Sequence, residues 1–155
     1  MIDVEFTLKS KDEMVTLACV VASLAKVGDV IHLKGNLGTG KTFFARAFIQ
    51  SLVGRPIDVP SPTFTLVQTY FESTLPIWHF DLYRLKDPHE VLELGFEEAL
   101  ATGVTLIEWP ERLGALDYPC NLVLNFRRVN GGSFRHVSLS ASEEWIEALE
   151  EVIAS

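Results

Sequence analysis

The segment GNLGTGKT, residues 35–42, constrains the fold of this chain more than any other, because it has the spacing Gly-x-x-x-x-Gly-Lys-Thr of a phosphate-binding P-loop. Residues 29–33 read as a short apolar strand, and residues 41–49 continue as a helix with one apolar face. Strand, loop and helix in this order are the setting in which the motif binds phosphates. An ordinary glycine-rich turn can have the same spacing, but the two flanks favour a nucleotide site.

The residue types in this loop have chemical reasons to be there. Glycines permit backbone conformations that side chains would obstruct, so successive N–H groups can point at phosphate oxygens beside the positive end of the helix. Lys41 is predicted to reach the β and γ phosphates, and the Thr42 hydroxyl to bind Mg²⁺. The predicted cofactor-binding residues of the loop are Gly35, Leu37, Gly38, Thr39, Gly40, Lys41, Thr42 and Phe43.

Length and charge limit the organisation of the chain and its partners. The 155 residues predict a single domain over residues 1–155. There are 13 Lys plus Arg against 21 Asp plus Glu, a net charge of −8, which argues against a broad basic face for direct nucleic-acid binding. Any contact with RNA is therefore expected through a partner protein.

The N-terminus and the two cysteines indicate the compartment. The first residues carry acids where a signal peptide would carry basic residues, and no apolar run reaches the ~18 residues of a membrane span. Cys19 and Cys120 lack the spacing of a metal site and are predicted to be reduced core thiols. We expect a cytoplasmic protein with no membrane association.

Hydrophobic periodicity and turn residues predict the remaining elements. Helices are expected from Ser10 to Gly28, from Lys41 to about Gly54, from Asp87 with a break at Gly95, and after Ser142 with Trp145, Ile146, Leu149 and Val152 on its apolar face. Strands are expected over residues 2–8, 29–33, 64–71, 77–83, 104–110, 122–127 and 133–139, with hairpins joining the third to the fourth and the sixth to the seventh. The predicted fold class is α/β, a three-layer P-loop NTPase-type domain with a mixed parallel and antiparallel central sheet.

Two acids at strand positions are candidates for the chemistry, because hydrolysis needs a fixed metal and a positioned water. Glu108 ends a nearly continuous apolar run and is predicted to bind Mg²⁺ or to orient the water, although a solvent-facing strand-end charge is the alternative. Asp81 interrupts a strand-like run and is either a second acid of the site or a structural partner of Arg84 or of a cluster of N–H groups. His79 shares the strand face of Asp81 and is more often structural in such a place, while Thr63 is a candidate switch threonine or a simple loop hydroxyl.

Four segments in this order and spacing resemble the bacterial TsaE (YjeE) family over about residues 33–112: GNLGTGKT, SPTFTLVQTY, HFDLYRLKDPHEVLELGFEEAL and LIEWPER. The words HFDLYRL and LIEWPE are far more specific than a P-loop alone. The lack of an Asn-Lys-x-Asp guanine motif also favours adenine.

The resemblance implies a small ATPase that binds ATP or ADP and Mg²⁺, slow alone and stimulated by its partners TsaB and TsaD. These partners would transfer the threonylcarbamoyl group to adenosine 37 of ANN-decoding tRNAs, so tRNA is contacted indirectly. By motif, Lys41 and Thr42 are the phosphate and metal residues and Thr63 the switch threonine. Asp81 is likewise a catalytic-site acid, Glu108 the metal or water acid and Trp109 its neighbour in the site.

Asn36 and Phe43 depart from the family pattern, which has an acid at the first position and a second hydroxyl residue at the other. Because Lys41 and Thr42 remain, we expect these departures to affect the hydration and tuning of the loop more than its activity.

A P-loop small-metabolite kinase is the alternative enzyme, with Arg127, Arg128 and Arg135 as its candidate lid arginines. A nucleotide-controlled binding module is the third possibility. The segment around Ser10 and the second hairpin are the candidates for the adenine pocket.

Overall fold

The computed structural model describes the backbone of residues 1–154 and the side chains of residues 1–151, and these residues form a seven-stranded sheet with helices packed on both faces. The strands are β1 (Ile2–Leu8), β2 (Val30–Lys34), β3 (Val67–Tyr70), β4 (Ile77–Asp81), β5 (Val104–Glu108), β6 (Leu122–Val129) and β7 (Phe134–Ala141). The α-helices of the described part are α1 (Lys11–Leu24), α2 (Lys41–Val53), α3 (Phe96–Thr102) and α4 (Glu143–Ala154). The strand order is β1-β7-β6-β2-β5-β4-β3.

The centre of the sheet is parallel and its two sides are antiparallel. β2 pairs in parallel with β5 and with β6, and β4 pairs in parallel with β5. β3 returns against β4, and β7 returns against β6 and also pairs with β1. The predicted mixed sheet and both predicted hairpins are confirmed. The carboxyl ends of β2, β4 and β5 therefore meet at one edge, where ligands of such sheets bind.

Alternation along the strands divides the core into two layers, as β2 shows. Ile31 and Leu33 pack in the core that includes α1, α2 and α4, whereas Val30 belongs to the core that includes α3. The predicted three-layer arrangement is confirmed.

Helix α2 is fixed on the sheet by Phe44 and Phe48, both fully buried, and the ring centroid of Phe44 lies 5.6 Å from that of Phe126 in β6. Burying each such ring contributes about 1.5–3 kcal/mol, so the start of α2 is held firmly above β2 and β6.

Helix α1 begins where predicted and ends earlier. Ser10 Oγ accepts the N–H of Glu13 at 3.1 Å, the first half of the capping pattern. The prediction that this helix continues to Gly28 is wrong, because α1 ends at Leu24. The carboxylate of Asp29 accepts the N–H three residues before it at 2.9 Å, and this local bond competes with further helical turns.

The strand predicted over residues 64–71 is shorter, spanning Val67–Tyr70. Leu66 has φ 68°, a left-handed conformation that breaks extended backbone, and its N–H donates to the carbonyl of Pro62 at 2.7 Å. The Leu66 carbonyl in turn accepts the N–H of Asp81 at 3.0 Å. The segment before β3 is therefore a turn fastened to the end of β4.

The strand predicted over residues 77–83 ends at Asp81. The Asp81 side chain accepts the N–H of Tyr83 at 3.1 Å, which turns the chain away from the sheet. Asp81 therefore ends this strand and does not interrupt it. Its carboxylate is placed at the same sheet edge as Glu108, its register partner in β5.

The helical segment after Asp87 is capped as predicted. Asp87 and Glu90 form a reciprocal capping box, and the segment Pro88–Leu94 is a 3₁₀ helix. Gly95, at φ 88°, breaks it, and α3 is the predicted second piece.

The apolar face of α4 contains Trp145, Ile146 and Leu149, all buried. The predicted place of Val152 on that face lies outside the residues whose side chains are described.

Cys19 and Cys120 are free thiols, but both are partly exposed, so their prediction as core residues is wrong. None of the helices in the described residues has the length and apolar character to cross a bilayer.

Candidate active site

The loop between β2 and α2 has the backbone geometry that its glycines allow. Gly35, Gly38 and Gly40 have φ of 139°, 77° and 112°, which L side chains rarely adopt. A Cβ on Gly35 would lie 2.5 Å from the carbonyl oxygen of Phe126, so a side chain has no room there. Glycine is therefore required at Gly35 for both conformation and space.

Lys41 is the first residue of α2, directly after this loop, and is only 4% exposed. Its Nζ donates to the carbonyl of Gly35 at 2.6 Å and lies 3.5 Å from the ring centroid of Trp109, a cation–π contact. Burial lowers the pKa of Lys41, while the carboxylates of Glu108 and Asp81 oppose that shift. The site thus has one buried cation beside two buried acids.

Trp109 reaches Lys41 because the chain turns sharply after β5. Its φ of 60° and ψ of 51° are left-handed, an uncommon conformation for a bulky residue, and Pro110 then starts a 3₁₀ turn, Pro110–Leu113. The ring packs against Tyr83, with centroids 5.0 Å apart. Backbone strain at a functional position is a recurrent feature of binding sites.

Glu108 is 2% exposed and uses both of its carboxylate oxygens. Oε1 accepts the hydroxyl of Thr42 at 2.9 Å, and Oε2 lies 2.7 Å from Nε2 of His79. The alternative that Glu108 is a solvent-facing charge is wrong, because its side chain is buried and contacts Thr42 in the first turn of α2 and His79 in β4. Glu108 is therefore joined directly to the first turn of the P-loop helix.

Asp81 lies next to Glu108 in the sheet and is 4% exposed. Its Oδ2 accepts the hydroxyl of Thr63 at 3.1 Å, and its Oδ1 accepts the N–H of Tyr83. Burial raises the pKa of Asp81; the N–H bond from Tyr83 opposes this, and the charge of Glu108 adds to it. Of the two structural alternatives, the ion pair with Arg84 is not formed among the described residues, whereas a backbone N–H, that of Tyr83, does donate to Asp81.

Replacement of Asp81 by asparagine is expected to stabilise the ligand-free protein at pH 7, by about 0.5–2 kcal/mol in the free energy of unfolding. The folded-state pKa of Asp81 is raised above its ordinary value of 3.8, so its contribution to stability is full below that value and is lost as the pH rises through the folded pKa. Asparagine never ionises, and its advantage should therefore shrink as the pH is lowered through the raised pKa.

Urea unfolding of wild type and Asp81→Asn across pH 5–8 measures this difference. Asp58→Asn, at an exposed position, is the matched control and should leave the free energy of unfolding unchanged. A less stable Asp81→Asn protein at pH 7 would contradict the prediction.

A cavity of about 570 Å³ opens over the loop. Ten of the predicted site residues line it: Leu37, Gly38, Gly40, Lys41, Thr42, Phe43, Thr63, Asp81, Glu108 and Trp109. Gly35 and Thr39 do not line the cavity. Thr39 is buried, and its hydroxyl donates to the carbonyl of Asn36 at 2.8 Å, so it closes the loop on itself.

The two departures from the family pattern have different surroundings. The Asn36 side chain is exposed, and only its backbone carbonyl takes part in the loop. Phe43, in the first turn of α2, is partly buried, packs against the core and lines the cavity. Phe43 therefore gives the cavity an apolar wall where the family pattern has a hydroxyl.

For the wall of the cavity opposite the glycine loop, the sequence pattern predicted the segments but not the individual residues. Ser10, Lys11 and Met14 line it from α1 and its cap, and Ser133 and Arg135 line it from the second hairpin, the two segments considered for the adenine ring. Arg128 reaches from the same hairpin to the loop, where Nε donates to the carbonyl of Gly38 at 3.1 Å.

His79 is the residue whose importance the sequence pattern understated. The available signal was alternation, which placed it on the strand face of Asp81. Its contact with Glu108 depends on the pairing of β4 with β5, which no local pattern reports.

The donor set is compatible with Mg²⁺ bound together with phosphates. Among the described residues, no three His, Cys, Asp or Glu side chains form a complete metal cluster. Mg²⁺ is commonly held by one or two carboxylates plus phosphate oxygens, and Thr42 with Glu108 supplies a hydroxyl and a carboxylate beside the glycine loop.

Fold and site together define an α/β protein with a P-loop-type strand, glycine-rich loop and helix, and with two strand-end acids facing that loop. Comparison with known proteins gives the family. Residues 8–134 match the family model described as threonylcarbamoyl adenosine biosynthesis protein TsaE, and the chain belongs to this family.

Individual relatives agree with this assignment. The tRNA threonylcarbamoyladenosine biosynthesis protein TsaE of Rickettsia conorii is 45% identical over 124 residues, covering 80% of this chain and 71% of the relative. That of Aquifex aeolicus is 39% identical over 121 residues, covering 77% and 84%. The crystal structure of Bacillus subtilis YdiB superposes with a TM-score of 0.77 at 30% identity, covering 99% of this chain and 95% of that one.

Proposed function

We propose that this chain is the Mg²⁺-dependent ATPase of tRNA threonylcarbamoyladenosine biosynthesis. Its ATP binding and hydrolysis would drive turnover of the threonylcarbamoyl transferase formed by TsaB and TsaD, which contact the tRNA. The observation that carries the proposal is the 2.9 Å hydrogen bond from Thr42 to Glu108, found in a member of the TsaE family. This bond joins the first turn of the P-loop helix to a strand-end acid, the pairing that phosphate-bound Mg²⁺ requires.

Nucleotide binding is supported by the loop itself. Gly35, Gly38 and Gly40 have positive φ angles and no Cβ atoms. Their backbone N–H groups, next to the start of α2, are therefore not obstructed by side chains and would be available to phosphate oxygens. Lys41 is the buried cation of the cavity floor, available to a phosphate oxygen. Bound Mg²⁺ would supply charge neutralisation at the β and γ phosphates.

The acids divide the remaining tasks. Thr42 and Glu108 would hold the metal, and Glu108 faces the cavity where an attacking water would stand. Asp81 keeps the Thr63 hydroxyl at the cavity wall and is the second acid available to a water. The side chains of Glu108 and Asp81 are 2% and 4% exposed, so both carboxylates would act where solvent screening is weak.

Reconstituted tRNA modification tests the proposal. Purified TsaB and TsaD with tRNA, ATP and the threonylcarbamoyl donor should complete many turnovers only when this chain is added. Lys41→Ala in its place should give no stimulation. Equal multiple-turnover modification with and without the wild-type chain would overturn the proposed role.

An isolated-protein assay separates the alternatives. The wild-type chain alone should hydrolyse ATP slowly and release inorganic phosphate, with a higher rate when TsaB and TsaD are added. Phosphate appearing on a small metabolite would instead identify a kinase. Stable nucleotide binding without hydrolysis, alone or with partners, would identify a nucleotide-controlled binding module.

A further inference from the structure

His79 is a fully buried histidine at the centre of the site that the proposed chemistry does not yet use. It lies in β4 two residues before Asp81 and is 0% exposed. Its Nε2 is 2.7 Å from Oε2 of Glu108 on the neighbouring strand. Because β4 and β5 are in parallel register, with Asp81 opposite Glu108, the three side chains stand on the same face of the sheet.

The two carboxylate oxygens of Glu108 have separate partners. Oε1 accepts the hydroxyl of Thr42, while Oε2 is left to His79 alone. A buried carboxylate oxygen without a donor is costly, and Glu108 is only 2% exposed. Since an ionised carboxylate can only accept, we assign the hydrogen of this contact to Nε2 of His79. No atom of the described residues is hydrogen-bonded to its Nδ1.

Asp81 and Glu108 differ in how they are held. The Asp81 carboxylate is fixed close to its own backbone by the N–H of Tyr83. Glu108 has a longer side chain with one more torsion, and among the described residues no backbone N–H donates to its carboxylate. The direction of the Glu108 carboxylate therefore depends on two side chains, Thr42 on one oxygen and His79 on the other.

We propose that His79 is a positioning residue of the site: by donating Nε2–H to Oε2 of Glu108, it holds Oε1 toward Thr42 and toward the Mg²⁺ that accompanies ATP. This role rests on the proposed function. Without His79 the Glu108 carboxylate is free to rotate away from Thr42. Partners that orient metal-binding carboxylates are typically worth about 10–100-fold in metal affinity.

Two amide variants make a matched test. In His79→Gln the side-chain nitrogen stands near the position of Nε2 and still donates to Glu108. In His79→Asn the shorter side chain places its nitrogen near Nδ1, out of reach of Glu108. The two variants are equally polar and differ by one methylene group, so a difference between them reports the contact. His79→Leu is a second variant without a donor.

The measurement is binding of a fluorescent, non-hydrolysable ATP analogue, first in EDTA and then during titration with Mg²⁺. His79→Asn and His79→Leu should bind the analogue in EDTA as the wild type does. Their half-saturating Mg²⁺ concentration should rise about 10–100-fold, and His79→Gln should restore it nearly to the wild-type value.

Thr105→Val controls for a general disturbance of the core. Thr105 lies in β5, is 0% exposed, and its hydroxyl has no hydrogen-bond partner among the described residues. It stands on the opposite face of the strand from Glu108, because the two residues are an odd number of positions apart and successive side chains of a strand alternate between its faces. This variant should have the wild-type Mg²⁺ requirement, and thermal unfolding of each variant verifies that it is folded.

The possible outcomes are distinct. A wild-type Mg²⁺ requirement in either folded His79 variant that lacks the donor, or equal effects of His79→Gln and His79→Asn, would overturn the role of His79 and leave the proposed function intact. Failure of the wild-type chain to bind the analogue with or without Mg²⁺ would overturn the proposed function and the role of His79 with it.

Discussion

Lys41→Ala is expected to weaken ATP binding by at least about 2 kcal/mol, which raises the dissociation constant roughly 30-fold. Lys41 is the buried cation of the loop, and its removal leaves negatively charged phosphates facing Asp81 and Glu108 without a counter-charge. Burial lowers the pKa of Lys41, and the neighbouring carboxylates of Glu108 and Asp81 oppose that shift. The alanine variant is expected to remain folded and to lose affinity for the nucleotide.

Isothermal titration with ATP and Mg²⁺, paired with thermal unfolding, measures both quantities. Lys26→Ala is the control, because the Lys26 side chain is 68% exposed and its partner within salt-bridge distance is the exposed Glu144. Its ATP affinity should equal that of the wild type. Wild-type affinity in the Lys41→Ala protein would show that the loop does not bind the phosphates as proposed.

Glu108→Gln is expected to preserve nucleotide binding and to slow ATP hydrolysis by about 100-fold or more. Glutamine keeps the length of the side chain and an oxygen that accepts from Thr42, so the P-loop helix retains its contact with β5. What is lost is the negative charge that would bind the metal or accept a proton from water. The effect should therefore fall on turnover and on the Mg²⁺ requirement, and not on nucleotide affinity measured at saturating Mg²⁺.

Phosphate release with saturating ATP, in the presence of TsaB and TsaD, is the measurement for Glu108→Gln. Asp81→Asn measured in parallel separates the roles of the two acids. If Glu108→Gln hydrolyses ATP at the wild-type rate while Asp81→Asn does not, Asp81 is the acid that acts on the water and Glu108 is structural.

Local patterns predicted the elements that bear the site. The glycine loop with its flanks, the apolar run ending at Glu108 and the turn residues of both hairpins are each contained in a few consecutive residues. Such signals reflect side-chain periodicity and backbone freedom, which depend little on distant parts of the chain. For this reason the mixed sheet and the three layers could be predicted.

Contacts between distant residues could not be predicted in the same way. The bond between His79 and Glu108 joins positions 29 residues apart, and it exists only in the observed register of β4 and β5. The shortening of the strand before Tyr70 depends on Leu66, whose left-handed backbone is fixed by bonds to Pro62 and Asp81. Leucine has no sequence preference for this conformation, so propensity predicts extended backbone there.

The position of β2 in the sheet also sets an order of events during synthesis. β2 emerges from the ribosome early, but its neighbours in the sheet are β5 and β6, which follow it by some seventy and ninety residues. The strand that carries the glycine loop therefore has no backbone partners until most of the chain has been made. A nascent chain interrupted before β5 carries the whole phosphate-binding motif and lacks both strands that pair with β2.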